Sequence, residues 1–346
     1  MHSVVLHNGK VLLIAGSGNS EEQFEAGTFT SAVYDPANGS YKVIPTPKDM
    51  FCAGHVQLQD GRVLVMSGNK AYPVPGGHGY EGFKDSYIFD PATESYIKTN
   101  DMNDGHWYPS ATIMGNGDVL SFGGLREDST GSVTAELFSQ EEQQWQPLWK
   151  VNQTWSYWGL YPSMILMQDG RLFYSGSHVF GNNIPGTGAA IYDYDANTVT
   201  QVPGLQNKDQ RDQSASVLLP PAQDQKVLTL GGGNIDSNPD ANRLTDVIDL
   251  KQPDPAYVAG PPIPQGTVDL APARSRRPAP RARCTSPRSC CPTARSWRPA
   301  ARCTTGPIRS SSPRSTTPRP TPSTRSPPIR RPAATTRRRS CCPTAG

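Results

Sequence analysis

Apolar positions in the first 250 residues come in short runs behind a turn. Five segments share this form: "NGKVLLIAGSGN" (8–19), "DGRVLVMSGN" (60–69), "NGDVLSFGG" (116–124), "DGRLFYSGS" (169–177) and "DQKVLTLGGGN" (224–234). With Val11, Val63, Val119, Leu172 and Val227 taken as equivalent, the steps are 52, 56, 53 and 55 residues. Asn-Gly and Asp-Gly ahead of alternating apolar residues predict hairpin turns, both central positions favouring positive φ. A second marker follows in most units: "VYDPANGSY" (33–41), "IFDPATESY" (88–96), "IYDYDANTVTQV" (191–202) and "VIDL" (247–250). Each marker is a strand ending in an Asp-rich turn. Every period of roughly 50 residues therefore supplies about four strands, with no helical periodicity between them.

A fixed step of this length with Gly-Gly pairs predicts an all-β, kelch-type β-propeller, about five blades of seven being visible over residues 1–270. A β-sandwich would have to hold the same step by accident. The 32 glycines and 34 prolines fit the turns that so many short strands require.

Charge splits the chain at the same place. Of the 33 basic residues, 18 are arginines after position 270, where there is no Lys, Asp or Glu; that leaves 15 basic against 30 acidic residues in the body. Residues 271–346 consist almost wholly of Arg, Pro, Ala, Ser, Thr and Cys, and lack the apolar surface to fold, so a disordered tail is expected. A nucleic-acid-binding tail would ordinarily mix in lysine and would not carry tandem cysteines, so no nucleic-acid partner is expected. No apolar run approaches the length of a membrane span. The N-terminal stretch reads as a strand and turn rather than a signal peptide. A monomer is expected.

Cys52, in "DMFCAGH", is the only cysteine among the first 283 residues. Counting back nine residues from the turn glycines Gly61, Gly117 and Gly170 gives Cys52, Tyr108 and Tyr161, which share one register in successive blades. Taken singly, Cys52 reads as a small buried hydrophobe and Tyr108 as a channel-lining aromatic.

"DMFCAGH" followed one blade later by "GHWYPSATIMGNGDVLSFGG" resembles the copper-radical oxidases, the galactose oxidase and glyoxal oxidase group, and most of all its bacterial glyoxal-oxidase-like branch. The resemblance covers essentially all of residues 1–270, including "WGLYPSMILMQDGRLFYSGSHVFG" (158–181). It implies that Cys52 and Tyr108 are joined by a thioether, and that Tyr108 binds one copper ion and holds a radical. The implied reaction oxidises a small alcohol or aldehyde with O2 to give H2O2, in a parent protein that is secreted or surface-associated. A thioether-substituted phenol suits this chemistry, because one copper ion stores one electron and the reaction needs two.

Other residues carry less. Tyr161 reads equally as packing or as a substrate contact, and His55 and His106 as polar residues of the channel mouth. The family's stacking tryptophan falls at Arg126 here, leaving Trp107, Trp155 and Trp158 as available partners. The resemblance also implies an axial tyrosine followed by histidine, and a second histidine, all further along the chain. No tyrosine follows Tyr257 and no histidine follows His178, so the chain as written is expected to be inactive.

"SCCPTA" occurs at 289–294 and again at 340–345, a step of 51 that repeats the blade period. Read with a one-base shift, Cys-Cys must encode Leu, and the hexapeptide allows Leu-Leu-Pro-Asp-Gly, a blade turn. The same shift allows Tyr-His within residues 334–336. A frame-shifted, truncated tail is therefore expected. The alternative function is a kelch-type binding scaffold for a glycan or protein.

Overall fold

A computed structural model describes residues 1–154, 157–179, 188–233 and 241–264. The chain divides into Met1–Asp269 and Leu270–Gly346, and the expectation of a disordered tail at 271–346 lies outside the described residues.

The first unit is an all-β propeller with five antiparallel blades among the described residues. Blade 1 runs His2–Val5, Val11–Gly16, Thr30–Asp35, Ser40–Pro45. Blade 2 runs Gly54–Gln57, Val63–Met66, Ser86–Asp90, Ser95–Lys98. Blade 3 runs Ser110–Ile113, Val119–Phe122, Thr134–Ser139, Gln144–Trp145. Blade 4 runs Met164–Leu166, Leu172–Tyr174, Ala189–Asp193, Thr198–Val202. Blade 5 runs Ala215–Leu218, Lys226–Leu230, Thr245–Asp249, Val258–Ala259. The first strands of blades 2, 3 and 4 lie against one another, so they form the inner wall.

The core sits between blades. Leu12 and Ile14 of blade 1 meet Val63, Val65 and Phe89 of blade 2. Leu64 and Met66 meet Val119 and Phe138 across the next gap. Leu120 and Phe122 then meet Leu172 and Tyr174, and Phe173 and Ile191 meet Val227 and Ile248. The second strands of blades 2–4 are accordingly buried on both faces, and their sequences (VLVM, VLSF, LFY) lose the period of two. Alternation returns in blade 1 (VLLIAG) and blade 5 (KVLTL), each packed on one face only.

The hairpin turns form where expected, with a different geometry. Gly9, Gly61, Gly117 and Gly170 alone take positive φ, and the residues before them do not. Each turn is a type I turn closed by a left-handed glycine. Asn8 Oδ1 accepts the Lys10 N–H at 3.1 Å, and Asp60, Asn116 and Asp169 accept likewise from Arg62, Asp118 and Arg171. This side-chain bond holds the Asn or Asp in the right-handed region, which overrides its tolerance of positive φ.

Candidate active site at the inner rim

Cys52, Tyr108 and Tyr161 each stand just before the inner strand of their blade, and each has a left-handed backbone, with φ of 61°, 67° and 48°. That conformation costs a non-glycine residue about 1–2 kcal/mol. The Tyr108 N–H donates to the Cys52 carbonyl (3.0 Å), and the Tyr161 N–H donates to the Tyr108 carbonyl (2.8 Å). The bend turns the Tyr108 and Tyr161 amides toward the preceding blade, so the rim is stitched from blade 2 to blade 4.

The same bend brings the side chains together. Cys52 and Tyr108 pack in one cluster, and the thiol and the phenol are near enough for each to shift the other's protonation. Cys52 is 6% exposed. Burial pushes its thiol up to about 12, against the smaller downward pull of the Tyr108 hydroxyl, so it is a thiol at neutral pH. Burial, followed by the nearby Cys52 thiol, raises the Tyr108 phenol well above its ordinary value. The Tyr161 ring lies 4.5 Å from that of Tyr108, and its hydroxyl donates to the Ala53 carbonyl at 3.0 Å.

A cavity of about 460 Å³ continues along the inner strands, lined by His2, His55, Tyr161 and backbone-rich positions of blades 2–4. The His2 and His55 rings are 5.0 Å apart, and His2 Nε2 is 3.3 Å from the Tyr161 hydroxyl. Burial first, then His55 and the terminal ammonium, pulls His2 down to about 4; burial also lowers His55. Both imidazoles are therefore neutral near pH 7. His55 lies where the sequence places it, on the channel.

His106 does not. It is fully buried, with Nδ1 2.7 Å from the Gly123 carbonyl and Nε2 3.1 Å from Glu136 Oε1. Glu136 also accepts the N–H groups of Asn103 and Asp104. His106 is thus a buried clamp, placed there because residues 103–107 fold back over the blade. Of the tryptophans, Trp107 meets Tyr108 edge-on at 4.2 Å, whereas Trp158 stacks on Tyr174 within blade 4. Trp155 lies outside the described residues. Arg126 is turned to Asp104 in an ion pair.

Asp49, which the sequence reading missed, anchors the cysteine loop. Its buried carboxylate accepts the N–H of Ser17 (2.6 Å) and of Phe51 (3.1 Å), and the amide of Asn69 (3.0 Å). The Asp three residues ahead of a lone Cys was the available signal.

Tyr108 offers a phenolic oxygen beside a redox-active sulfur, which suits a copper-coupled radical. Among the described residues, however, there is no group of three or more His, Cys, Asp or Glu able to hold a metal ion. Cys52 and Tyr108 do not by themselves complete a copper site among the described residues.

No family model matches the chain. In sequence it is 26% identical over 145 residues to galactose oxidases of Gibberella zeae, a match covering 41% of this chain and 20% of theirs. It is 28% identical over 136 residues to a WSC domain-containing protein of Arthroderma benhamiae, covering 38% of this chain and 14% of that protein. The chain thus spans a fifth or less of the length of these curated relatives. In structure it is similar to a fungal alcohol oxidase of the AA5 family in complex with copper, with a TM-score of 0.56, 19% identity, and coverage of 77% of this chain and 53% of that one. The fold and the partial sequence match together support a relationship to the copper-radical oxidase family.

Proposed function

We propose that residues 1–270 are the propeller part of a secreted or surface-associated copper-radical oxidase, with Cys52 and Tyr108 as its thioether-linked redox pair. The reaction class is oxidation of a small primary alcohol or aldehyde, with O2 taking up two electrons and two protons to give H2O2. The observation that carries this reading is the packing of Cys52 with Tyr108, at matched left-handed register on consecutive blades and joined by the bond from the Tyr108 N–H to the Cys52 carbonyl.

Tyr108 would hold the one-electron oxidised state, and Cys52 would lower its potential once bonded to the ring. Tyr161 packs beside that ring and restricts water. The neutral His2 and His55 side chains offer proton acceptors along the adjoining cavity. The remaining metal ligands are assigned to the sequence hidden by a frame shift after residue 270. The one-sided packing of blades 1 and 5 supports a ring that takes two further blades. Val5, Tyr41 and Val43 on blade 1 and Val217 and Val258 on blade 5 are all exposed apolar residues consistent with missing neighbours.

The test uses the frame-restored protein, loaded with copper in air. A peptide joining the Cys52 and Tyr108 segments, lighter by two hydrogen atoms than the sum, should appear together with peroxide release on alcohol addition. Both should vanish in Cys52→Ala and Tyr108→Phe. A protein that binds copper yet forms no such link would instead be read as a binding scaffold. The frame-shift reading itself fails if the DNA shows no in-frame Tyr-His at codons 334–336 after a one-base shift.

A further inference from the structure

Tyr108 does not end in the blade core. Its ring meets Trp107 at 4.2 Å, Trp107 is stacked on Tyr80 at 4.1 Å with the planes 9° apart, and Tyr80 meets Tyr72 at 5.4 Å. Trp107 is 5% exposed, whereas Tyr80 and Tyr72 are partly exposed, one beside each strand of the small hairpin Asn69–Ala71 and Glu81–Gly82. An unbroken line of oxidisable rings therefore runs from the buried pair to solvent. The neighbouring rings Phe51 and Phe24 flank this line, and a phenyl group is much harder to oxidise than a phenol or an indole. The other large aromatic group, Trp158 with Tyr174 and Tyr192, sits within blades 3 and 4 as a separate cluster.

We propose that Tyr72, Tyr80 and Trp107 form a one-electron conduit through which an outer-sphere oxidant at the surface, too large to reach the rim, oxidises Tyr108. The conduit rests on reading Tyr108 as the redox-active phenol, and says how that phenol is set to its oxidised state. Electron tunnelling falls steeply with distance, so contact-distance steps outrun a single long jump. The oxidant takes one electron from Tyr80 or Tyr72, whose proton goes to solvent. That phenoxyl takes an electron from Trp107 and recovers a proton from solvent. The Trp107 radical cation takes an electron from Tyr108, whose phenolic proton passes to water. In sum, Tyr108 loses one electron and one proton, and the oxidant gains one electron. Trp107 Nε1 is buried with no hydrogen-bond partner among the described residues, so the indole radical cation has no acceptor for its proton and passes the charge on instead of trapping it.

The experiment uses copper-free 1–346 protein and a flash-generated ruthenium(III) tris-bipyridine oxidant, with hexaammineruthenium(III) as quencher. The readout is the rise of the phenoxyl absorption that Tyr108→Phe removes. Tyr80→Phe, which keeps the stacked ring, and Trp107→Phe should each slow that rise about tenfold, the effect of one impaired step. Trp149→Phe, at an indole 79% exposed on the turn Leu148–Lys150, should leave it unchanged. If Trp107→Phe loses its fold by circular dichroism, Tyr80→Phe decides alone. A Tyr108 signal that rises no more slowly in Tyr80→Phe than in the parent overturns the conduit. Because no copper is present, a failed thioether test with a Tyr80-dependent rise would remove the oxidase reading and leave the conduit standing. The converse result would do the reverse.

Discussion

The inner rim at blades 2–4 and the same rim at blade 5 share a backbone and differ in chemistry. Gln213, just ahead of the first strand of blade 5, is left-handed like Cys52, Tyr108 and Tyr161, with φ of 56°. Its N–H, however, donates to the His178 carbonyl at 2.7 Å instead of the corresponding residue of the preceding blade. Around it stand a buried arginine–aspartate ion pair and a histidine–aspartate contact. The Arg211 guanidinium is fully buried against the Asp246 carboxylate and the carbonyls of Gln206 and Gly231, and His178 Nε2 is 2.7 Å from Asp212. The blade repeat thus fixes the bend, and the residue placed on it decides whether the rim carries a thiol and phenols or a buried charge cluster.

The largest expected effect breaks the blade 5 side. Asp246→Ala leaves Arg211 buried without its partner and should cost about 3–5 kcal/mol in urea unfolding. In the fraction that stays folded, the Tyr108-dependent phenoxyl signal should persist, since among the described residues Arg211 bonds Gln206, Gly231 and Asp246 and touches neither Cys52 nor Tyr108. Loss of both together would show the rim to be one cooperative unit.

On the blade 2–4 side, the His106–Glu136 pair should make stability depend on pH. Burial pulls His106 down, but the Glu136 carboxylate and the Gly123 carbonyl outweigh it, and its pKa ends above the ordinary histidine value. Burial pushes Glu136 up, but His106 and the Asn103 and Asp104 amides outweigh it, leaving its pKa below the ordinary value. The raised histidine gives stability that is full below its unfolded pKa of about 6.5 and is lost as pH climbs through the folded one. The lowered carboxylate gives stability that is full above its unfolded pKa of about 4.3 and is lost as pH falls through the folded one. Urea midpoints should therefore be highest between those limits and should fall on the alkaline side by an amount equivalent to about 2 kcal/mol. Glu136→Gln should flatten that alkaline slope; an unchanged slope would place its origin elsewhere.

The smallest effect sharpens the shared feature. If the left-handed bend is imposed on both sides, Cys52→Gly should be more stable than Cys52→Ala, and Gln213→Gly more stable than Gln213→Ala, by about 1 kcal/mol each. A difference at one position and none at the other would mean that the bend is relaxed where the difference is missing.

Much of the architecture was legible in the chain. The five turn-strand segments fall in the five blades, and the shared register of Cys52, Tyr108 and Tyr161 appears as a run of left-handed residues joined by amide bonds. Turn geometry was less legible, because Asn-Gly and Asp-Gly are compatible with two hairpin types and the Asx bond to residues such as Arg62 selects between them. His106 was misplaced as a channel residue, since its partner Glu136 lies 30 residues away, on another strand. His2 and Asp49 were overlooked because their roles depend on neighbours in adjoining blades.

The sequence by itself determined the period, the turns and which residues stand at each blade's entrance, since these are local matters of backbone preference and spacing. Only the tertiary structure decided that Cys52 packs with Tyr108, that His106 is sealed against Glu136, and that Trp107 joins Tyr108 to Tyr80. Those contacts are made by side chains from different turns and blades. Their chemistry is set by burial and by the direction in which a left-handed residue points, which spacing along the chain does not encode.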